Sequence, residues 1–519
     1  MNLKRSRITA LALALLPPAV ASIAVAGEPA NPQAAAWYRS GAAAVAAREL
    51  DAIDKGKARN VILFVGDGMD VSTVTAARIL EGQRLGGPGE EHQLAFEQLP
   101  FLALSKTYSV NQQTSDSAPT ATALVTGVKT RGGSLAVDEA IGEGVKDAAI
   151  TRQHALTTIL ELAEARGLAT GIVTTTRITH ATPAANYAHT GNRDWESDAS
   201  LPDAASVPDI AAQLVAAQQK YGIEVVLGGG RTQFTPRTVA DPEYPAQNGG
   251  RKDGRALVDE WLAAQPGSKY VWNHEQFAAI DPQNTQHLLG LFEPSHMQYE
   301  ADRRPPDGTA GRDGAGEPSL AEMTAKAIEI LRNNDKGYYL MVEGGRIDHA
   351  HHAGNAYRAL TDTIALSDAV RTALTLTDPR DTLVIVTADH GHVFNIAGYP
   401  QRGNPILGLV VEPDSSKPAR ASDGKPYTTL GYLNGRGFAT FPRTRRPDGD
   451  RPIRTGRHVE VRDDVESPGF HQEALVPLGS ESHGGQDVAI YAGGPQAYLF
   501  RGTMEQNTVF HVMRKALGL

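Results

Sequence analysis

Short apolar runs recur along the chain and alternate with segments whose apolar residues return at helical spacing. Six of these runs have the continuous apolar character of buried strands, namely Val61–Val65, Gly171–Val173, Val225–Leu227, Tyr339–Val342, Thr382–Val386 and Val488–Tyr491. Strands of a parallel sheet are covered on both faces and are therefore apolar throughout. We expect these six runs to form parallel strands.

The segments between the runs carry helix signals. Leu156–Arg166 has an amphipathic pattern, and Gly167 follows it as a typical helix stop. Ser319 and Glu322 have the spacing of a capping box, which predicts a helix over Ala321–Leu331. Alternating strands and helices predict an α/β fold, a three-layer sandwich with a mainly parallel central sheet flanked by helices.

The start of the chain differs from the rest of the pattern. Three basic residues, the apolar stretch Ile8–Ala26 and its final Ala-Val-Ala sequence predict a signal peptide over residues 1–26. A membrane anchor is the alternative, but two prolines interrupt the stretch, and no other apolar run is long enough to span a membrane. We therefore expect residues 27–519 to be one exported domain, periplasmic or extracellular, without a stable membrane span.

Two further regions depart from the alternating pattern. Residues 399–470 are rich in Gly, Pro, Arg and polar residues, which predicts an irregular insertion near the rim of the sheet. Residues 35–50 have the pattern of a separate helix that could pack on the body or on a partner chain.

The amino-acid composition excludes several kinds of site and partner. The chain of 519 residues has no cysteine, which excludes disulfides, thiol nucleophiles and thiolate metal sites. Its formal net charge is −9, which argues against nucleic acid as a specific partner, since such proteins usually present a basic face.

Acidic residues and histidines follow the ends of the predicted strands. Ligands of open α/β sheets bind beyond the carboxyl ends of the strands, so we expect these side chains to converge. The residues concerned are Asp67, Glu343, Asp348, His349, His351, His352, Asp389, His390 and His483. Any one of them could be a helix cap or half of a salt bridge, but together they indicate a metal site.

The residue types indicate which metals. Carboxylates and imidazoles without thiolates suit catalytic Zn²⁺, whereas the oxygen-only set Asp67, Thr182 and Glu343 suits Mg²⁺. Carboxylates that converge repel each other unless cations neutralise them. A cluster of this density therefore implies more than one divalent ion.

Ser117 is a candidate nucleophile. It stands in Asp116-Ser117-Ala118-Pro119, where Pro119 suits the first turn of a helix, whose end favours phosphate. The alternative is that Ser117 is only a helix N-cap. No G-x-S-x-G sequence is present, so ordinary α/β-hydrolase chemistry is not indicated. Arg193 could bind an anion bidentately, or it could be a surface arginine.

The motifs together resemble the alkaline phosphatases, most closely their animal-type branch. The resemblance runs from about Trp37 to Met513. It rests on the following segments: Phe64–Met69, Val71–Arg78, Asp116–Ala118, Thr174–Arg177, His180–Ala184, Tyr187–Thr190, Asn192–Arg193, Val342–His349, His351–His352, Thr387–His390 and His483–Gly484.

The resemblance implies a role for each matched residue. A first zinc would be held by Asp348, His352 and His483. A second zinc, which also contacts the nucleophile Ser117, would be held by Asp67, Asp389 and His390. The magnesium ligands would be Asp67, Thr182 and Glu343, with His180 nearby, and Arg193 would clamp the phosphate.

The animal-type branch implies further features. His180 and His349 follow the animal pattern, where enterobacterial relatives have Asp and Lys. Residues 399–470 would form a crown-like insertion, and residues 35–50 a helix that embraces the partner in a homodimer. An additional Ca²⁺ would be held by the residues that align with that site, Glu243, the Phe292 carbonyl, Glu293 and Glu317, although Glu317 replaces the usual Asp.

The expected activity is hydrolysis of small phosphate monoesters through a phosphoserine intermediate, with release of inorganic phosphate. A sulfatase or a phosphodiesterase of the same superfold is a competing interpretation. The segment around Ser117 partly mimics a sulfatase motif but lacks its arginine. A phosphate or metal binder without catalysis is a third interpretation, against which the Asp116-Ser117 pair argues.

Overall fold

The computed structural model describes residues 53–303, 316–437 and 464–519, the strand backbones at 439–440 and 455–456, and positions 36, 39 and 43. Residues 53–519 form one compact unit. The predicted signal peptide over residues 1–26 lies outside the described residues, and so does nearly all of the predicted helix over residues 35–50.

The strands follow the predicted runs and extend most of them. The first eight are β1 (Asn60–Gly66), β2 (Phe101–Lys106), β3 (Ala169–Arg177), β4 (Val225–Gly229), β5 (Ser268–Val271), β6 (His287–Leu291), β7 (Tyr338–Gly344) and β8 (Thr382–Ala388). The others are β9 (Gly391–His392), β10 (Phe394–Ile396), β11 (Leu430–Gly435), β12 (Ala439–Thr440), β13 (Thr455–Gly456), β14 (Glu473–Pro477), β15 (His483–Gly484), β16 (Val488–Gly493) and β17 (Gly502–Glu505).

Ten strands build the central sheet in the order β17-β2-β16-β8-β1-β7-β3-β4-β6-β5. The strands from β8 to β5 pair in parallel, which confirms the mainly parallel sheet. The expectation that Val488–Tyr491 is a parallel strand is wrong, because β16 runs antiparallel to both β8 and β2. A continuous apolar run indicates that both faces of a strand are buried. It does not indicate the direction of the strand, because a buried antiparallel strand has the same pattern.

Side chains of each inner strand alternate between two apolar layers. On β1, Val61, Leu63 and Val65 belong to one core cluster, and Ile62 and Phe64 belong to the other. Helices cover both clusters, so the sheet is the middle layer of the predicted α/β sandwich.

The helices are α1 (Val71–Arg84), α2 (Ser117–Thr126), α3 (Ala148–Gln153), α4 (Ile159–Ala165), α5 (Ala181–Ala184), α6 (Ile210–Tyr221), α7 (Arg231–Phe234), α8 (Leu257–Ala264), α9 (His274–Ala278), α10 (Glu300–Arg303), α11 (Leu320–Leu331), α12 (Arg346–His352), α13 (Ala356–Leu376) and α14 (Thr508–Leu517). Short 3₁₀ turns lie at Ala95–Gln98, Pro282–Asn284 and Ala497–Leu499. None of the helices among the described residues is long and apolar enough to cross a bilayer.

Local capping explains where two predicted helices begin. The Ser319–Glu322 capping box is present at the start of α11. The helix predicted from Leu156 begins only at Ile159, because Thr158 accepts the backbone N–H of Glu161 and the Glu161 side chain accepts the N–H of Thr158. This second capping box fixes the start of α4 and leaves Leu156 in the preceding loop.

Part of the predicted insertion over residues 399–470 is described. Strand β11 lies within these bounds and pairs antiparallel with β10, which precedes them, and parallel with β14, which follows them. The three strands form a sheet outside the central one. Strands β12 and β13 form a separate antiparallel pair. The extent of the insertion and its role as a crown stay predictions.

Two glutamates at the amino-terminal end of β3 make stability depend on pH. The Thr170 hydroxyl donates to Glu164 over 2.5 Å, and the Thr170 N–H donates to Glu224 over 2.7 Å. Burial raises the pKa of Glu164 to about 7. Burial and the neighbouring Glu164 raise the pKa of Glu224 to about 8. Between about pH 4.5 and pH 8 the folded chain therefore keeps protons that the unfolded chain has lost, and stability falls as pH rises.

We expect Glu224→Gln to remove much of the loss of stability that occurs as pH rises. At about pH 9 the variant should be more stable than the wild type by at least about 1 kcal/mol, because no carboxylate has to ionise beside Glu164. Near pH 4.5 the two proteins should unfold alike, since Glu224 is largely protonated in the folded wild type. Denaturant unfolding at the two pH values measures the difference, and equal stabilities at pH 9 would contradict the assignment.

Candidate active site

The carboxyl ends of four neighbouring strands bring the predicted site residues together. In the sheet register, Gly66 of β1 lies opposite Gly344 of β7 and Ala388 of β8, and Thr174 of β3 lies opposite Glu343. Asp67 and Asp389 therefore leave their strands at the same level of the sheet as Glu343. The parallel register places these acidic side chains at one edge.

Ser117 begins α2 and faces this edge. Asp116 is the N-cap, and its carboxylate accepts the N–H of Ala118 over 2.9 Å. The interpretation of Ser117 as only an N-cap is therefore wrong. The buried Ser117 hydroxyl oxygen lies 3.1 Å from Nε2 of His390 and 3.4 Å from Oδ1 of Asp67. Its position at the start of α2 also exposes it to the positive end of the helix.

Asp67, Asp389 and His390 form a compact buried group of possible metal ligands. Nε2 of His390 lies 3.2 Å from Asp67 and 3.4 Å from Asp389. Burial raises the pKa of Asp67 well above its usual value, and the charges of Asp389, Asp348 and Glu343 raise it further. Carboxylates held together in this way favour binding of cations.

Asp348, His352 and His483 meet beside that group. Oδ1 of Asp348 lies 3.3 Å from Nε2 of both histidines, and the two Nε2 atoms lie 3.1 Å apart. The Nδ1 atoms face backbone carbonyls, His352 toward Glu481 at 2.6 Å and His483 toward Ser115 at 2.8 Å. These contacts leave Nε2 of each ring for the shared centre, as in metal sites whose histidines are oriented by their second nitrogen.

A third group lies on the other side of Asp67. Three buried oxygen atoms there have no hydrogen-bond partner among the described residues: Oδ2 of Asp67, Oγ1 of Thr182 and Oε1 of Glu343. Burial raises the pKa of Glu343 to about 7, although the hydroxyl of Thr174 donates to its other oxygen. Unpartnered buried oxygens of this kind fit a hard cation such as Mg²⁺.

Arg193 lies between Asp116 and His180. One of its terminal nitrogens lies 3.2 Å from Oδ1 of Asp116, and the other lies 3.0 Å from Nε2 of His180. The Arg193 N–H donates to the Gly133 carbonyl over 2.8 Å, which fixes the backbone. The contact with Asp116 joins the Arg193 guanidinium to the residue that caps α2, so Arg193 is not an ordinary surface arginine.

The structure adds His392 and Glu481, which sequence reasoning missed. Nε2 of His392 lies 2.9 Å from Asp348, and its Nδ1 lies 2.6 Å from the Glu481 carboxylate. His392 lies two residues beyond His390 in Asp-His-Gly-His, and Glu481 lies two residues before His483. Their short distance in sequence from the predicted ligands His390 and His483 was the signal that could have identified them. Glu481 thus contacts His392 through its carboxylate and His352 through its carbonyl.

The residues predicted to bind calcium lie around the end of β6. The Gln298 side chain donates to Glu293 over 2.8 Å, and its backbone N–H donates to Glu317 over 2.9 Å. Glu243 accepts a 2.6 Å hydrogen bond from Arg231, and Phe292 follows β6 directly. These glutamates are not among the compact groups of possible ligands in the described residues, and the calcium site stays a prediction.

Comparison with known proteins agrees with this geometry. A family model described as alkaline phosphatase matches residues 58–519. The alkaline phosphatase of Gadus morhua is 44% identical over 479 residues, which cover 91% of this chain and 94% of that protein. The tissue-nonspecific alkaline phosphatase of Homo sapiens is also 44% identical over 479 residues, covering 91% of this chain and 86% of its own.

Solved structures show the same fold. The alkaline phosphatase of Thermus thermophilus superposes with a TM-score of 0.61 at 25% identity, covering 90% of this chain and 93% of its own. The alkaline phosphatase of the Antarctic bacterium TAB5 superposes with a TM-score of 0.59 at 22% identity, covering 89% and 99%. With the family model matching nearly the whole chain, the chain belongs to the alkaline phosphatases, a family of phosphomonoester hydrolases.

Proposed function

We propose that this chain is an exported alkaline phosphatase that depends on two Zn²⁺ and one Mg²⁺ and works through a phosphoserine at Ser117. The observation that supports this most is the position of the Ser117 hydroxyl. It lies within 3.4 Å of both Asp67 and His390, at the start of a helix and beside a dense group of carboxylates and imidazoles.

Three sets of residues would hold the ions. Asp348, His352 and His483 would bind the first zinc, Asp67, Asp389 and His390 the second, and Asp67, Thr182 and Glu343 the magnesium. The mixed nitrogen and oxygen donors of the first two sets suit Zn²⁺, and the oxygen donors of the third suit Mg²⁺. When bound, the ions would neutralise the carboxylates, lower the pKa of the Ser117 hydroxyl and of water, and stabilise the leaving oxygen.

The protein groups define the reaction path. Ser117 Oγ attacks phosphorus while the bond from phosphorus to the alcohol oxygen breaks, giving phosphoserine and the free alcohol. Water then attacks the phosphoserine, which releases inorganic phosphate and restores the Ser117 hydroxyl. Arg193 binds the nonbridging oxygens, and Asp116 holds its guanidinium in place.

Trapping the intermediate tests the covalent step. We expect acid quenching during turnover of a phosphate monoester to leave one phosphoryl group on Ser117, located by peptide mass spectrometry. Ser115→Ala is the matched control and should still be labelled, because among the described residues the Ser115 hydroxyl hydrogen-bonds to the Asp116 carbonyl and to no site side chain. Label on another residue would refute the assignment of Ser117.

Substrate class is tested on matched monoester, diester and sulfate ester analogues. We expect the phosphate monoester to react fastest by at least about 10²-fold, because Arg193 and the cations favour a dianion. Faster turnover of the diester or the sulfate ester would support the phosphodiesterase or the sulfatase instead, and no turnover would support a binding protein.

Export and assembly complete the proposal. Removal of residues 1–26 would release a periplasmic or extracellular enzyme. Residues 35–50 would embrace the partner in a homodimer, and residues 399–470 would form a crown-like insertion. A further Ca²⁺ would bind at Glu243, Phe292, Glu293 and Glu317. The basic residues, the apolar stretch and the Ala-Val-Ala sequence within residues 1–26 support export. The resemblance of the sequence to the animal-type branch supports the homodimer and the Ca²⁺ site.

A further inference from the structure

Three histidines from separate elements meet beside the predicted magnesium group. They are His180, the N-cap of α5, His296, in the loop after β6, and His349, on α12. One ring nitrogen of each lies within 4.8 Å of one nitrogen of the other two. The ring centroids are 4.2 Å apart for His296 and His349 and 5.3 Å apart for the other two pairs.

The trio has the donors of a metal site but no function in the proposed reaction. His296 has no role in the mechanism above, and His180 also belongs to the compact group with Asp67 and Glu343. Nδ1 of His180 is buried and has no hydrogen-bond partner among the described residues. Three imidazoles without a carboxylate suit Zn²⁺ or another divalent transition metal and do not suit Mg²⁺ or Ca²⁺.

An arginine accompanies each ring. Arg193 donates to His180 over 3.0 Å, Arg346 donates to His349 over 3.0 Å, and the side chain of Arg177 lies 2.5 Å from His296. These guanidiniums compete with a metal for the ring nitrogens, because a neutral imidazole has one lone pair. The backbone N–H of Arg177 also donates to Nδ1 of His296 over 3.2 Å, so a metal at this ring would have to bind Nε2, with the proton on Nδ1, and would weaken that hydrogen bond.

Each arginine keeps another partner if it releases its ring. Arg177 makes two hydrogen bonds to Glu196, of 2.7 and 2.6 Å. Arg193 keeps Asp116, and the guanidinium of Arg346 stacks 3.8 Å from the centre of the Tyr299 ring. Exchange of arginine for metal is therefore possible without leaving a buried guanidinium unpaired.

We propose that His180, His296 and His349 form an additional binding site for a divalent transition metal such as Zn²⁺. The site lies next to the group Asp67, Thr182 and Glu343, with His180 between them. It does not depend on the covalent mechanism, because it is defined by bound metal and not by turnover.

Metal counting on the loaded enzyme tests the proposal. Wild type, His296→Ala and His287→Ala are each loaded with Zn²⁺ and Mg²⁺, equilibrated with micromolar free Zn²⁺ and measured by elemental analysis. We expect the wild type and His287→Ala to hold one more zinc per chain than His296→Ala. His287 is a suitable control because it is also partly buried, and within the described part of the chain its ring makes a hydrogen-bond contact with the Ile223 carbonyl and belongs to no group of possible metal ligands.

A second readout separates loss of the site from loss of the fold. Co²⁺ added to the Zn²⁺- and Mg²⁺-loaded enzyme should give visible d–d absorption in the wild type that is absent in His296→Ala. If the alanine variant does not fold, His296→Asn keeps a polar group near Arg177 and should show the same loss. Equal zinc content and equal cobalt spectra in wild type and variant would overturn the proposal, as would a crystal structure with an oxyanion in the trio.

Discussion

Replacing Ser117 with alanine is expected to lower kcat/KM for a phosphate monoester by at least about 10³-fold. The variant has no oxygen atom to form the bond to phosphorus, so water would have to replace the nucleophile. The metal content should stay as in the wild type, because Asp67, Asp389 and His390 are unchanged. Steady-state kinetics and elemental analysis of the same preparation measure both quantities.

Ser115→Ala is the matched control for this substitution. Ser115 is also buried and lies two residues before Ser117, but in the part of the chain that the structure describes its hydroxyl donates to the Asp116 carbonyl alone. We expect this variant to keep kcat within about fivefold of the wild type, as is usual for removal of one weak hydrogen bond. Turnover by Ser117→Ala at the level of Ser115→Ala would refute the nucleophile.

Removal of the metal ions is expected to have the other large effect. Chelation by EDTA should reduce activity by at least about 10³-fold, and Zn²⁺ together with Mg²⁺ should restore it. Without cations, the buried carboxylates of Asp67, Glu343 and Asp389 face each other at one edge of the sheet. Activity assays before and after chelation, with residual metal measured, test the prediction.

The chelated protein should also show a distinct pH dependence of stability. Since burial raises the pKa of Glu343 to about 7, the metal-free fold loses stability as pH rises from about 4.5 to 7. The loaded enzyme should lose less over that interval, because a bound cation stabilises the carboxylate. For the activity measurement, full turnover by protein shown to be free of metal would contradict the predicted dependence on Zn²⁺ and Mg²⁺.

Much of the site could be predicted because it lies at strand ends. Apolar runs located β1, β7 and β8, and the acidic residues that follow those strands meet because parallel register aligns the strand ends. The role of each residue came from the family resemblance, since a carboxylate at a strand end can equally cap a helix.

Other features depend on contacts that no local pattern contains. The direction of β16 is set by its antiparallel neighbours, and an apolar run is the same in either direction. Asp116 and Ser117 are both favourable N-cap residues, so residue type alone does not predict which of them caps α2. The backbone conformation of the folded chain makes Asp116 the N-cap. The hydrogen bond between His392 and Glu481 joins residues 89 positions apart. His296 meets His180 and His349 because the loop after β6 is held against β3, where the Met297 N–H donates to the Thr175 carbonyl.

The most direct test of the metal centre is a crystal structure of the active enzyme with anomalous data collected on both sides of the zinc absorption edge. We predict one zinc peak among Asp348, His352 and His483 and another among Asp67, Asp389 and His390, with a lighter ion beside Thr182 and Glu343. Zinc in the trio His180, His296 and His349 would give a separate third peak. Absence of zinc from both groups in crystals of fully active protein would contradict the account.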